Sequence, residues 1–222
     1  YRRGWRQGLK PARQIVEAHY AAQSSSGAYR CCDGYTDFRN VIARDDIDAV
    51  CISTPDHWHG VMSVMAAKAG KDVFCEKPTL TVAEGRMVSD TIKRYGAVFQ
   101  TGTEDRSIDV YHRLAELVRN GRIGRLRRIH VNLPGGMPEE AFPLEQQKPE
   151  PTPAGFDYDM WLGPAPFRPY TRARCHFIWR WISDYSGGML ADWGAHLLDT
   201  AQWANAPSCG PSRASIVTGQ SF

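Results

Sequence analysis

Residues 48–101 read DAVCISTPDHWHGVMSVMAAKAGKDVFCEKPTLTVAEGRMVSDTIKRYGAVFQT, and this stretch decides the fold class. Short apolar runs rich in β-forming residues predict three strands, at 48–53, 72–75 and 98–101. Helical spacing of apolar residues predicts one helix between each pair of strands, at 61–69 and 81–95. Strands separated by helices of this length form βαβ units, whose parallel sheet is covered on both faces. The stretch therefore predicts part of a Rossmann-like α/β sheet.

Further elements are predicted on both sides of this stretch. Helical patterns occur at 10–22, from Asp37 to residue 44, and at 108–120. A loosely alternating strand at 126–133 begins a region of different character. The segment 134–153 contains six prolines, which are too many for a regular element, so we expect a long surface loop there.

The composition is that of a folded globular protein. The 222 residues are 42% hydrophobic and 23% charged, which argues against a disordered or fibrous chain. The formal net charge of +3 is too small and too evenly spread to indicate a nucleic-acid or membrane surface. Since no apolar run approaches the roughly 18 residues of a membrane span, we predict neither kind of partner.

The cysteines show neither a CxxC pair nor the spacing of zinc ligands, so we expect buried free thiols and no metal site. They are Cys31, Cys32, Cys51, Cys75, Cys175 and Cys209. The sequence opens without Met at Tyr1 and stops at Phe222 inside a β-like run, so we expect a piece of a longer protein.

The motif STPDHWH at 53–59 follows the first predicted strand and precedes a helix. Ligands of open parallel sheets bind beyond the carboxyl ends of the strands, and amides at a helix N-terminus suit phosphate or ribose oxygens. Ser53, Thr54, Pro55 and His59 are therefore candidates for one edge of a cofactor site. The alternative is a plain turn from strand to helix, in which Pro55 sets the bend and Asp56 caps the helix.

The segment GKDVFCEKP at 70–78 ends the second predicted strand with Glu76, Lys77 and Pro78. A lone Glu-Lys pair is usually a surface ion pair. At the cofactor end of the sheet, however, a lysine can polarise a substrate oxygen. Because Pro follows Lys77, a cis peptide bond would fix the direction of the lysine, and we predict one.

The segment GGMLADWGAHLLD at 187–199 carries three polar residues on a predicted helix. Asp192 and His196 are four residues apart and share one face, and Asp199 follows at the next turn. A carboxylate beside an imidazole orients it as a general acid/base for an alcohol proton. The alternatives are a core histidine with a satisfied hydrogen bond and, less well supported, a metal site. We also predict that Lys77 and His196 converge on one cleft, with Asp192 on the same wall.

Together these segments resemble the glucose-fructose oxidoreductase, inositol dehydrogenase and rhizopine-catabolism family, abbreviated Gfo/Idh/MocA. The resemblance runs in order from residue 35 to residue 199. The stretches that carry it are YTDFRNVIARDDIDAVCISTPDHWH, GKDVFCEKP, VFQTGTEDRS, LVRNGRIGRLRRIHV, WLGPAP, FIWRWISDYSGG and GGMLADWGAHLLD.

The resemblance implies a two-domain oxidoreductase that uses NAD or NADP. Residues 1–122 would be the C-terminal part of the Rossmann domain, and 123–222 the first part of the substrate and oligomerisation domain. The fold class is accordingly a partial Rossmann-like parallel sheet followed by the start of an α+β open-sheet domain. We expect a homo-oligomer formed through the second-domain sheet. The compartment is unknown, with the cytoplasm as the default and periplasmic export open if a preceding segment carries a signal.

The resemblance also assigns roles to residues. Lys77 resembles the lysine near the reacting carbon, His196 the acid/base, and Asp192 the carboxylate that binds a substrate hydroxyl. Residues that flank the nicotinamide and its ribose are matched by Thr54, Pro55, His59, Glu76 and Pro78, with Ser53 beside them. An arginine of the cleft is matched by Arg180, and further substrate contacts are expected from Arg106, Trp161 and Asp199.

Two departures from the family pattern affect these expectations. No GxGxxG turn occurs in the sequence, so we expect the chain on its own to bind NAD poorly. Glu104-Asp105-Arg106 stands where the family often has Asn before the arginine of the substrate cleft, which puts that contact in doubt.

The leading hypothesis is reversible oxidation of a secondary alcohol on a sugar, a sugar derivative or a cyclic polyol, with hydride passing to the nicotinamide. The many tryptophans support it, since aromatic faces pack on the C–H surfaces of sugars. Two alternatives stay open: an NAD-dependent glycoside hydrolase that acts by transient oxidation, and a non-catalytic binding or regulatory protein of the same fold.

Overall fold

The computed structural model describes residues 8–30, 32–136, 147–175, 177–205 and 215–217, the last of these as backbone only. The chain divides into two compact units, residues 1–48 and residues 49–222. The domain boundary expected after residue 122 stays a prediction. Within the described ranges, no helix is long and apolar enough to cross a membrane.

The first unit contains two helices, α1 (Leu9–Ala21) and α2 (Phe38–Ile42). Both agree with the predicted positions, although α2 is shorter than the sequence pattern indicates. Asp37 caps α2, because its side chain accepts a hydrogen bond from the backbone N–H of Arg39.

The second unit is built on the predicted parallel sheet. Its strands are β1 (Ala49–Ile52), β2 (Asp72–Glu76) and β3 (Phe99–Gly102), hydrogen-bonded in the order β1-β2-β3. Helices α3 (Asp56–Lys68) and α4 (Val82–Tyr95) connect them and pack against each other. The registers Ala49↔Asp72 and Val73↔Phe99 align the carboxyl ends of the three strands. The predicted Rossmann-like α/β class is thus confirmed.

Residues after the sheet form a second layer, made of helices and of two short paired strands. The 3-10 helix Glu104–Ser107 leads into α5 (Asp109–Arg119), which packs against α8 (Trp193–Asn205). The predicted strand at 126–133 is shorter in the structure, where β4 (His130–Asn132) pairs in parallel with β5 (Ser215–Val217). Part of the predicted proline-rich loop, 137–146, lies outside the described residues.

An aromatic cluster forms the core between α6 (Tyr158–Leu162) and the 3-10 helix Ile178–Trp181. Its buried members are Tyr158, Leu162, Tyr170, Cys175, Trp179, Ile182 and Tyr185, with Phe156, Trp161 and Ala165 packed against them. This cluster also holds the start of α3. The fully buried ring of His57 lies 5.4 Å from Trp161 and 5.3 Å from Tyr185. His57 Nε2 also donates to the Trp161 carbonyl at 2.8 Å.

The cysteine expectation is correct for only some of the residues described. Cys75 and Cys175 are free and buried, whereas Cys32 is half-buried and Cys51 is exposed. An apolar run does not bury every side chain of a short strand, because successive side chains point to opposite faces. Cys31 and Cys209 lie outside the described residues.

Candidate active site

The carboxyl ends of the three parallel strands form one edge of the sheet, where the candidate residues lie. Thr54 and Pro55 follow β1, Lys77 and Pro78 follow β2, and Glu104 follows β3. The peptide bond between Lys77 and Pro78 is cis, as predicted. Because open α/β sheets bind ligands beyond this edge, the topology collects the motifs where a cofactor site belongs.

Lys77 and Asp192 form an ion pair at this edge. Lys77 Nζ lies 2.5 Å from Asp192 Oδ1, and it also donates to the Asp192 carbonyl at 3.1 Å. Both side chains are largely shielded, with 11% and 21% of their surface exposed. Arg180 approaches the other carboxylate oxygen at 3.9 Å while stacking on Trp179. Two cations therefore approach the two oxygens of one carboxylate.

The predicted continuous helix through Asp192 and His196 is wrong, because the structure breaks it at Asp192. Helix α7 (Gly188–Ala191) ends there, Asp192 has ψ −84°, and α8 begins at Trp193. The physical reason lies in the hydrogen bond from Lys77 to the Asp192 carbonyl, a group that a helix would use internally. The break lets both the carboxylate and the carbonyl of Asp192 face the lysine.

His196 lies in the first half of α8, beside the end of β3. Its Nε2 is 3.6 Å from Glu104 Oε1, and 14% of its side chain is exposed. Its Nδ1 is buried and has no hydrogen-bond partner among the described residues. The exposed indole of Trp193 lies 6.4 Å from the imidazole, measured between ring centroids. The common cleft of Lys77 and His196 stays a prediction.

The two candidate substrate residues Arg106 and Asp199 pair with each other. The guanidinium donates to both carboxylate oxygens, from Nε at 2.6 Å and from Nη2 at 2.7 Å. The hydrogen bond to Asp199 raises the pKa of Arg106 above its ordinary value. Arg106 also stacks over Trp203, so this pair anchors the 3-10 helix Glu104–Ser107 to α8.

His59 connects the segments that follow β1 and β2. Its ring is buried, with Nε2 2.7 Å from the Thr54 carbonyl and Nδ1 2.6 Å from the Pro78 carbonyl. The histidine thus joins Pro78, which follows Lys77, to Thr54 in the turn before α3. These two contacts hold the segments after β1 and β2 together at the sheet edge.

The remaining candidates lie around this edge. Thr54 is half-buried, and its hydroxyl is 3.8 Å from the Met62 sulfur. Ser53 is exposed. Glu76 packs closely on Gly102, where an added Cβ would lie 2.7 Å from a carboxylate oxygen. Trp161, a candidate substrate residue, packs on the aromatic cluster.

Asp56 and Ser186 are partners in the structure, although neither was predicted from the sequence to contact the other. Helix α3 begins at Asp56 after an N-cap at Pro55, so the alternative in which Asp56 caps the helix is wrong. The buried carboxylate instead accepts a hydrogen bond from Ser186 Oγ at 2.6 Å. Burial raises the pKa of Asp56, and the Ser186 hydrogen bond opposes that shift. No signal within either motif links these two residues.

The edge suits the nicotinamide end of a dinucleotide. It offers the Thr54 hydroxyl and the Lys77 ammonium. Among the residues that the structure describes, no group of three His, Cys, Asp or Glu side chains is arranged to hold a metal ion.

The chain is similar to known proteins over part of its length. Levoglucosan dehydrogenase of Pseudarthrobacter phenanthrenivorans is 28% identical over 125 residues, which are 55% of this chain and 32% of that protein. A glycosyl hydrolase family 109 protein of Shewanella baltica is 47% identical over 58 residues, 26% of this chain and 13% of that protein. The chain therefore spans less than a third of the length of these relatives.

A solved structure shows the same fold. The oxidoreductase domain protein from Kribbella flavida superposes with a TM-score of 0.55 at 27% identity, over 77% of this chain and 38% of that one.

Two family models match the chain in order. The model described as "Oxidoreductase family, NAD-binding Rossmann fold" covers residues 10–103, and "Oxidoreductase family, C-terminal alpha/beta domain" covers residues 110–208. Both are models of the Gfo/Idh/MocA family, so the resemblance seen in the motifs extends over nearly the whole sequence. The chain belongs to the Gfo/Idh/MocA oxidoreductase family.

Proposed function

We propose that the protein of which this chain is part is an NAD(P)-dependent oxidoreductase. It transfers hydride between a secondary alcohol of a sugar, sugar derivative or cyclic polyol and the nicotinamide. The observation that carries the proposal is the Lys77–Asp192 pair at the carboxyl end of β2. A largely shielded lysine bound to a carboxylate at this edge could hold the oxygen of an alcohol.

Lys77 would bind the reacting oxygen. An ammonium has three N–H donors, and two of them already point to the carboxylate and the carbonyl of Asp192. The third is available to a substrate oxygen, whose developing negative charge it would stabilise. Asp192 would accept a hydrogen bond from a neighbouring hydroxyl and so orient the sugar.

His196 would take the proton of the alcohol and return it in the reverse reaction. The carboxylate of Glu104 lies 3.6 Å from its Nε2 and offers an opposite charge to the imidazolium that forms.

NAD or NADP, when bound, supplies the hydride acceptor. Thr54, Pro55 and His59 after β1 would line its nicotinamide end, with Ser53 beside them. After β2 the same end would be lined by Glu76 and Pro78, and Arg180, on the 3-10 helix Ile178–Trp181, would close the cleft. Each role rests on position at the sheet edge and on the family motif.

The test is an assay in which the full-length protein oxidises a panel of polyols and sugars. The reaction is monitored by the absorbance of the reduced nicotinamide that forms. Lys77→Ala and His196→Ala should each lower kcat by roughly 100-fold or more, because each removes a charge or proton acceptor used in the transition state. The matched control is Lys68→Ala, at the exposed last residue of α3. Turnover unchanged by Lys77→Ala would refute the proposed role.

Glycoside cleavage by transient oxidation is the second candidate, and the similarity to a glycosyl hydrolase family 109 protein favours it. The two reactions differ in their products. Net NADH formed from a free sugar indicates a dehydrogenase. An aglycone released from a glycoside with tightly held NAD and no net NADH indicates the hydrolase.

A non-catalytic protein of the same fold is the third candidate. NAD binding without turnover of any polyol or glycoside by the full-length protein would favour it. Homo-oligomerisation through the second-domain sheet is also proposed, and light scattering of the full-length protein would test it.

A further inference from the structure

Two buried polar side chains join the start of α3 to the segment before α7. Asp56 is 5% exposed and Ser186 is 3% exposed. Ser186 Oγ donates to Asp56 Oδ2 at 2.6 Å across 130 residues of sequence. Because a buried polar group without its partner is costly, this bond fixes the position of both side chains.

The segment from Ser186 to Asp192 has little freedom to move independently. The N–H of Ser186 donates to the Ile182 carbonyl at 3.0 Å, and the N–H of Asp192 donates to the Gly188 carbonyl at 2.8 Å. At Gly187 an added Cβ would lie 2.6 Å from the Ala191 Cβ, so the turn packs tightly on α7. These contacts pack the turn that carries Ser186 against α7, which ends next to Asp192.

Asp56 also lies in the electrostatic field of the candidate site. The titratable groups that face it are His59 on its own helix, Lys77 after β2, and Asp192 before α8. Burial raises its pKa, the Ser186 hydrogen bond, His59 and Lys77 oppose that rise, and Asp192 adds to it. Asp56 is thus linked to the Lys77–Asp192 pair by charge as well as by the chain.

We propose that Asp56 is a positioning residue, which acts through Ser186 to set how the Asp192 carboxylate meets Lys77. It need not touch the substrate. The inference concerns the geometry of the pair, and only its kinetic consequence rests on the proposed function.

The first test measures acylation of Lys77 by an amine-reactive reagent, quantified by mass spectrometry. Ser186→Ala and Asp56→Ala should each raise the labelling rate of Lys77 at least about threefold, approaching Asp192→Asn, because the ammonium is no longer held by two oxygens. The conservative variants Ser186→Thr and Asp56→Asn retain the hydroxyl and an acceptor oxygen, so they should restore most of the protection.

The matched control is Asp184→Asn, two residues before Ser186, which removes an ion pair to Arg168 without touching Asp56. Its Lys77 labelling should equal that of the wild type. Thermal unfolding of each variant shows whether it is folded. Wild-type labelling in folded Ser186→Ala, or equal labelling in Ser186→Ala and Ser186→Thr, would overturn the proposal.

The second test is kinetic and uses the full-length enzyme. Ser186→Ala should lower kcat about tenfold or more with little change in the KM for NAD, since misplacement at the reacting oxygen affects the chemical step. Ser186→Thr should recover most of kcat. A fall in thermal stability with unchanged kcat would contradict the positioning role. If the wild type oxidises no polyol, the proposed function fails while the labelling test still decides this inference.

Discussion

Asp56 is a carboxylate that folding removes from water, and its charge therefore opposes stability at neutral pH. Its pKa is raised by burial, so the stability it contributes is full below its ordinary pKa and is lost as the pH rises through the raised value. We therefore expect the free energy of unfolding of Asp56→Asn, relative to that of the wild type, to increase as the pH rises from about 4 to about 7.

Urea unfolding at both pH values measures this difference. Asp184→Asn serves as the control, since that carboxylate pairs with Arg168 away from the buried network. A difference between Asp56→Asn and wild type that does not change with pH would show that the burial of Asp56 has no effect on its ionisation.

The cysteines should differ sharply in reactivity, because the thiolate is the nucleophile. Burial raises the pKa of Cys75 to about 11 and of Cys175 to about 12, whereas Cys51 is exposed. At pH 8 the thiolate fraction of Cys75 would be about 0.1%, so iodoacetamide should label Cys51 first by a wide margin. Peptide mass spectrometry measures the rates, and labelling in urea is the control. Equal rates for native Cys51 and Cys75 would contradict the burial.

Residue identities explain why part of the site could be predicted. Lys77, Asp192 and His196 stand in motifs that match the pattern of the family. The bond between Ser186 and Asp56 could not be predicted, because it depends on burial and on a tertiary contact across 130 residues. Ser186, which precedes two glycines, has no recognisable role in the sequence until the structure shows its hydrogen bond to Asp56.

At the scale of elements, α4 owes its start to a capping box. The Thr81 side chain accepts from the Glu84 N–H, and the Glu84 side chain accepts from the Thr81 N–H. Thr81→Ala should lower the free energy of unfolding by about 1 kcal/mol, because it leaves a helix N–H without a partner. Thr81→Ser keeps the acceptor and should cost much less. Chemical unfolding of both variants checks this, and equal losses would argue against the cap.

The helices and strands from β1 to α5 could be predicted, because the spacing of their apolar residues and the residues at their ends are local properties of the sequence. The break at Asp192 does not, since the sequence there is continuous in helical pattern. Lys77 supplies the competing hydrogen bond from 115 residues away. Local patterns therefore predict the scaffold better than the element that carries the candidate acid/base.

At the scale of the whole molecule, Gly163 sets how closely the aromatic cluster approaches α3. Its φ is +50°, and a Cβ added there would overlap the indole of Trp58. Trp58 Nε1 in turn donates to the Met160 carbonyl at 3.0 Å. Gly163→Ala should therefore cost about 3 kcal/mol or more, from strain and a displaced indole.

Gly155→Ala is the matched control, because Gly155 also has positive φ but nothing within 4 Å of an added Cβ. It should cost only about 1 to 2 kcal/mol. Unfolding in urea compares the two variants with wild type. Equal losses would mean that the overlap with Trp58 is relieved without cost.

The bonds that tie the sheet edge to later parts of the chain also bear on the order in which the protein assembles. β1 pairs with β2 and β2 with β3, the next strand each time, so the sheet can close while the chain is still short. The contacts to Asp192 and Ser186 span 115 and 130 residues and must wait for much more polypeptide. During synthesis the three-stranded sheet could therefore form before Ser186 and Asp192 leave the ribosome. The contacts of Lys77 with Asp192 and of Asp56 with Ser186 would thus form later than the sheet that positions Lys77.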